Sequence, residues 1–187
     1  MRKQHLLQAV FSIKTGNQLS RLVLACCLFL ALSSNIRATE SVARQWNEVL
    51  LQAIREDFAR PTLHARNLFH VSIALYDSWA VYDTSTSTYF LGKTVNGYTC
   101  PFNGITLPTA SQKKGYQEEA MSFAAFRLLM HRFKNSPGAD SSLPRFQLLI
   151  QNLGYDETDT SKDYASENPA ALGNYIAQFI ISYGLQD

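Results

Sequence analysis

Acidic residues are missing from the first 39 positions, cysteine is rare, and nucleotide, hydrolase and metal motifs are absent; each lack removes a class of function. Only three cysteines occur. Cys26 and Cys27 sit in an apolar leader, so Cys100 stands alone in the rest of the chain and cannot form an internal disulfide. There is no G-x-S-x-G, no phosphate loop and no G-x-G-x-x-G, which leaves hydrolase, nucleotide and Rossmann chemistry without support. No H-E-x-x-H and no spaced cysteine pair marks a zinc site, and His64 and His70, six residues apart, point in different directions on a helix. Five of the 17 basic residues (Arg2, Lys3, Lys14, Arg21, Arg37) precede position 39, so the remainder of the chain holds 12 basic against 15 acidic side chains, a formal charge of −3. With no basic stripe left, nucleic acid is a poor partner.

What is present begins with a leader. A basic, polar front ends at Arg21, and Leu22 to Leu32 is unbroken and apolar. That run is too short for the roughly 20 residues a membrane-spanning helix needs. It fits a secretory signal over 1–38 with a cut after Ala38, and the alternative is an uncleaved N-terminal anchor. The expected location is exported, periplasmic or extracellular, with no stable membrane span after cleavage.

Over the whole chain 46% of residues are hydrophobic and 17% charged, a globular mix. The expected fold of residues 39–187 is all-α, a bundle of about five helices. The first runs from about Ser41 to Phe58, with Val42, Trp46, Val49, Leu50, Ala53 and Ile54 at helical spacing, and Arg44, Glu48, Arg55 and Glu56 on the solvent side. The second, from Thr62 to about Tyr82, is apolar on most faces and reads as the central helix. The third spans about Ser111 to Phe133. The fourth covers Leu143 to Leu153, closed by Gly154, and the fifth has Asn168 as cap, Pro169 at its first position and Gly184 at its end. Between the second and third lies an irregular excursion at about 83–108. Its aromatics want burial; Thr88 to Leu91 suggests a short strand and Val95-Asn96-Gly97-Tyr98 a hairpin turn.

Two groups of polar residues could carry chemistry. Arg66, His70 and Asp77 share one face of the second helix, an arrangement suited to a general base or a phosphate site, or more simply to a buried network that fixes helix register. Without a nucleophile or third ligand beside them, no catalytic, cofactor-binding or metal residue is assigned. Glu119, Arg127 and His131 on the third helix fit solvated or inter-helix salt bridges.

Ser41-Val42-Ala43-Arg44-Gln45-Trp46-Asn47-Glu48-Val49-Leu50, Arg60-Pro61-Thr62-Leu63-His64-Ala65-Arg66-Asn67-Leu68 and Ala74-Leu75-Tyr76-Asp77-Ser78-Trp79 form one distinctive stretch. Asn168-Pro169-Ala170-Ala171-Leu172-Gly173-Asn174-Tyr175 forms a second. Together they resemble the N-terminal helical region of bacterial vanadium-dependent haloperoxidase-like proteins, relatives of the type 2 phosphatidic acid phosphatases. The resemblance implies halide oxidation at vanadate, or phosphate-ester hydrolysis through a phosphohistidine, in a C-terminal bundle that supplies a Lys with an Arg-Pro pair, a P-S-G-H run, and a later Arg and His. Those motifs are absent here: seven residues before Arg60-Pro61 stands Ala53 rather than Lys, and Ser136-Pro137-Gly138 has the wrong order and no histidine. The expectation is an exported N-terminal helical domain, or truncated relative, that packs against a catalytic bundle or another subunit. No cofactor is expected in this chain, and vanadate only with that bundle supplied. The alternatives are a free-standing periplasmic binding or interaction module, or a small enzyme using Arg66, His70 and Asp77.

Overall fold

A computed structural model of the protein describes residues 40–186; the expected signal segment lies outside them. Among the described residues five α-helices occur in order: α1 (Val42–Arg55), α2 (Pro61–Ala80), α3 (Ala110–Phe133), α4 (Ala139–Asn152) and α5 (Pro169–Tyr183). The fold is an all-α bundle, with one small hairpin of β1 (Thr94–Val95) and β2 (Tyr98–Thr99) in the excursion between α2 and α3. No helix among the described residues is long and apolar enough to cross a membrane.

Local chemistry sets the helix ends. The Ser41 hydroxyl accepts from the Arg44 backbone N–H, and the Asn168 side chain accepts from the Ala170 and Ala171 N–H groups. Pro61 and Pro169 begin their helices where a missing N–H costs no bond. Gly154 takes φ +85° just past α4, a left-handed closure that a glycine makes without strain.

The central helix is α3, not the second helix as its composition suggests. Ala120, Phe123, Ala124, Ala125, Phe126, Leu128, Leu129 and Phe133 are all buried, and α3 touches α1, α2, α4 and α5. Its closest neighbour is α5, because Gly173 removes the side chain between them. A Cβ there would overlap the Ala120 carbonyl and sit 2.7 Å from Phe123 Cβ. Trp46 fastens α1 to α3 by donating from its indole to Ser122 Oγ at 3.2 Å, and Ser122 in turn donates to the Glu118 carbonyl.

Two further expectations need correction. Glu56 does not decorate a solvated face. Both its carboxylate oxygens accept from the Arg145 guanidinium of α4, at 2.9 and 3.1 Å, and Ser142 Oγ donates to the same group. This bidentate pair ties the end of α1 to α4. Arg145 first, then Gln52 and Ser142, hold the Glu56 carboxyl at about 2 against an ordinary 4.5. The fourth helix also starts a turn early, at Ala139, with Pro144 inside it. Pro144 lies just past the first turn, where the helix forgoes one hydrogen bond. The early start brings Gly138 and Ser142 against Glu56.

The excursion is ordered, as its aromatics imply, but Thr88 to Leu91 forms no strand. The hairpin lies a few residues later. Asn96 and Gly97 both have positive φ, +50° and +81°, the backbone of the two-residue turn that suits strand twist. Phe90 stacks on Tyr98, and both meet Tyr183 of α5; Phe102 meets Tyr164, which meets Tyr175. Phe90, Leu91 and Cys100 are thereby buried.

Candidate functional site

Helix α2 divides into two faces of opposite character. Toward the bundle it buries His64, Asn67, His70, Val71, Ala74, Leu75, Asp77 and Ser78. Away from it, positions 61, 62, 65, 68, 69, 72, 76 and 79 are exposed, and they read Pro, Thr, Ala, Leu, Phe, Ser, Tyr and Trp. No charge falls on this face over the whole 20-residue helix. On α1 the exposed positions are Arg44, Glu48 and Arg55, all charged. Phe69 is 47% exposed, Tyr76 42% and Trp79 36%. Single exposed apolar residues are ordinary; what sets this face apart is that its eight exposed positions carry no charge.

The row is shaped as well as apolar. Tyr76 and Ser72 form a ridge between two open grooves of about 430 Å³ each. One groove is floored by Phe69, Ile73 and Tyr89 and edged by Lys93; the other is floored by Val42, Leu75, Trp79 and Met121 and edged by Glu118. The ridge is held in place. The Tyr76 hydroxyl donates to the Ser87 carbonyl at 3.0 Å, its ring lies 6.1 Å from Trp79, and Phe69 meets Tyr89 edge-on at 5.9 Å. Lys93 Nζ braces the same loop by donating to Ser87 Oγ and the Thr88 carbonyl.

Arg66, His70 and Asp77 lie on the covered side, and the last two serve different partners. The Asp77 carboxylate, fully buried, accepts three backbone hydrogen bonds, from Tyr89 (2.6 Å), Phe90 (2.8 Å) and Leu91 (2.7 Å). It is the clamp that folds the excursion back onto α2. His70 Nδ1 accepts from Arg132 Nη2 of α3 at 2.9 Å, so its proton resides on Nε2. Its ring lies 5.9 Å from Tyr183, and a Cβ on Gly184 would meet His70 Cε1 at 2.8 Å as well as the Arg132 guanidinium. Within the stripe, Asp77 turns its carboxylate to backbone N–H groups and His70 turns Nδ1 to Arg132. His64 Nε2 donates to the Phe58 carbonyl, fastening the α1–α2 link.

The third-helix residues do not form the expected salt bridges. Arg127 donates from Nε to Asn174 Oδ1 (2.9 Å) and from Nη2 to the Glu157 and Asp159 carbonyls (2.8 and 2.7 Å), all neutral acceptors. Burial lowers its pKa, while the charges of Asp159 and Glu157 act the other way. Burial raises the Glu119 carboxyl, with the Asp159 charge adding to it, and burial lowers His131, aided by Lys134 and Arg132. No ion pair of Glu119, Arg127 or His131 occurs among the described residues.

Two segments that look like parts of oxyanion motifs lie at helix connections. Arg60 is the N-cap residue of α2 and its guanidinium stacks 4.9 Å from the Phe58 ring; Ser136-Pro137-Gly138 is the link between α3 and α4. These residues do not fit a vanadate cradle. Among the described residues no group of three or more His, Cys, Asp or Glu side chains could hold a metal ion. Compared with known proteins, the chain matches no family model, no curated protein and no solved structure.

Proposed function

We propose that this protein is an exported helical interaction domain whose α2 face packs against a second helical polypeptide. The observation that carries the reading is the uncharged row from Thr62 to Trp79, the exposed face of a helix whose other side fills the bundle. Two grooves on either side of the Tyr76 ridge suit the ridges of a partner helix. Tyr76 on the ridge and Trp79 on a groove floor are of the residue types that carry most binding energy at such contacts. The oppositely charged edges, Lys93 and Glu118, would set the partner's orientation. Export is the reading of the leader, and the resemblance to haloperoxidase-like proteins makes the catalytic bundle of such a protein the favoured partner. In that arrangement vanadate or phosphate chemistry belongs to the partner, and this chain supplies a scaffold.

The test is recovery of the tagged protein from its producing cells beside its Tyr76→Arg variant. The variant gives up the hydroxyl bond to Ser87 but, at a half-exposed position, still unfolds cooperatively, and it loses the helical partner that the wild-type protein retains. Retention of that partner by the variant contradicts the reading.

A further inference from the structure

On another part of the bundle, a concavity of about 380 Å³ lies between α3, α5 and the Asp156–Asp163 loop. Its volume is within the ordinary range for small-molecule sites. Arg127, Thr160, Lys162, Asn174, Gln178 and Ser182 supply its polar groups, and Ile181 supplies apolar wall. No carboxylate lines it. Of the nearby acids, Asp159 accepts from Asn168 Nδ2 and from the Ser161 N–H, and Glu157 accepts from Gln151 through Oε1 while its buried Oε2 has no hydrogen-bond partner.

Arg127 is the distinctive group. Three bonds to neutral acceptors fix its guanidinium, so its position is set without its charge being met by contact with an acid. Its remaining amino group, Nη1, has no partner among the described residues and is not sealed from solvent. Asn174 is fixed in turn by donating to the Asp159 and Ser161 carbonyls. The anchoring is therefore rigid on the α3–α5 side, while Lys162 sits on the exposed loop and enters no ion pair among the described residues.

We propose that this concavity binds a small organic acid through its carboxylate. The carboxylate accepts from Arg127 Nη1 and pairs with Lys162; neutral donors at Thr160, Gln178 and Ser182 complete the site, and the organic body lies along Ile181. Nη1 offers one amino group rather than a two-pronged fork, and the charges of Asp159 and Glu157 temper the field, which suits a monoanion better than a phosphate dianion. This proposal is independent of partner docking on α2.

The experiment is an NMR titration of the nitrogen-15-labelled protein with benzoate, with benzamide as the uncharged isostere and with inorganic phosphate. Benzoate shifts the side-chain signals of Arg127, Asn174 and Gln178 saturably, benzamide does not, and phosphate acts more weakly. Arg127 holds the loop and its removal risks the fold, so the informative variant is Lys162→Glu, at an exposed side chain. It weakens benzoate binding about tenfold, as reversing one charge at close range should. No saturable shift with benzoate, equal response to benzamide, tighter binding of phosphate, or unchanged affinity in Lys162→Glu each overturns the proposal.

Discussion

The carboxylate of Asp77 lies 2.7 Å from the backbone nitrogen of Leu91, fourteen residues further along the chain, and accepts its hydrogen bond in the dry interior. With Tyr89 and Phe90 bound to the same group, one side chain organises the return of the excursion. Hydrogen bonds to a charged acceptor are worth about 1.5–3 kcal/mol each, and orphaned buried donors add to the loss. Asp77→Ala should therefore cost about 3 kcal/mol or more in urea unfolding. Glu48→Ala, on the solvated face of α1, should stay within about 0.5 kcal/mol. Hydrogen exchange at Tyr89, Phe90 and Leu91 should accelerate in the first variant only. Equal, small effects of the two substitutions would remove Asp77 from this role.

Acid should loosen the joint between α1 and α4. The Glu56 carboxyl is depressed to about 2 from 4.5, chiefly by Arg145, so the folded state favours its ionised form. That contribution is complete above about pH 4.5 and is lost as pH falls toward about 2. Asp83, held low first by Lys113 and then by Ser85, titrates in the same direction, so the comparison must isolate Glu56. The stability gap between wild type and Glu56→Gln, followed by urea unfolding from about pH 6 to about pH 2, should shrink across that window. A constant gap would mean that the ion pair adds nothing.

Two glycines should respond in opposite senses. Gly173→Ala forces a methyl group into the α3 backbone, beside Phe123 Cβ at 2.7 Å and the Ala124 nitrogen at 2.9 Å, and should destabilise by about 1–3 kcal/mol or more. Gly115 lies inside α3 with open space around it, so Gly115→Ala should stabilise by about 0.5–1 kcal/mol. Thermal unfolding of both variants checks the pair; tolerance of alanine at 173 would contradict the close α3–α5 approach.

Features decided within a few residues are legible in the sequence. Asn168-Pro169, Gly154 and Asn96-Gly97 each carry their instruction locally, and each sits where its chemistry places it. Features decided at a distance are not. Asp77 looks like a partner for His70 because a helix puts the two on one face, yet its acceptor capacity goes to backbone N–H groups, which no residue type reveals. Glu56 looks solvated because Arg145 lies 89 positions away. Helix α2 looks central because apolar composition does not say which of its faces the bundle covers. The Arg127 concavity depends on neutral acceptors meeting a guanidinium across three segments.

Cys100, the single thiol among the described residues, should be inert while the protein is folded. Cys100 is 1% exposed, and burial pushes its pKa up to about 11. At about pH 8 only about one molecule in a thousand then carries the reactive thiolate. A disulfide reagent should titrate one thiol per exported molecule, slowly in buffer and at once in denaturant. Three thiols titrated in denaturant would show that Cys26 and Cys27 are retained, contrary to cleavage after Ala38.

The central claim, that the uncharged face of α2 is a docking surface, is tested most directly by site-specific photo-crosslinking in the producing cells. A photoreactive phenylalanine analogue replaces Tyr76 on the ridge in one strain and Glu48 on the charged face of α1 in another. Docking through α2 predicts one discrete adduct from position 76, with a helical segment of an exported partner identified by mass spectrometry of the linked peptides, and none from position 48. The same faint, unselective products from both positions would contradict it.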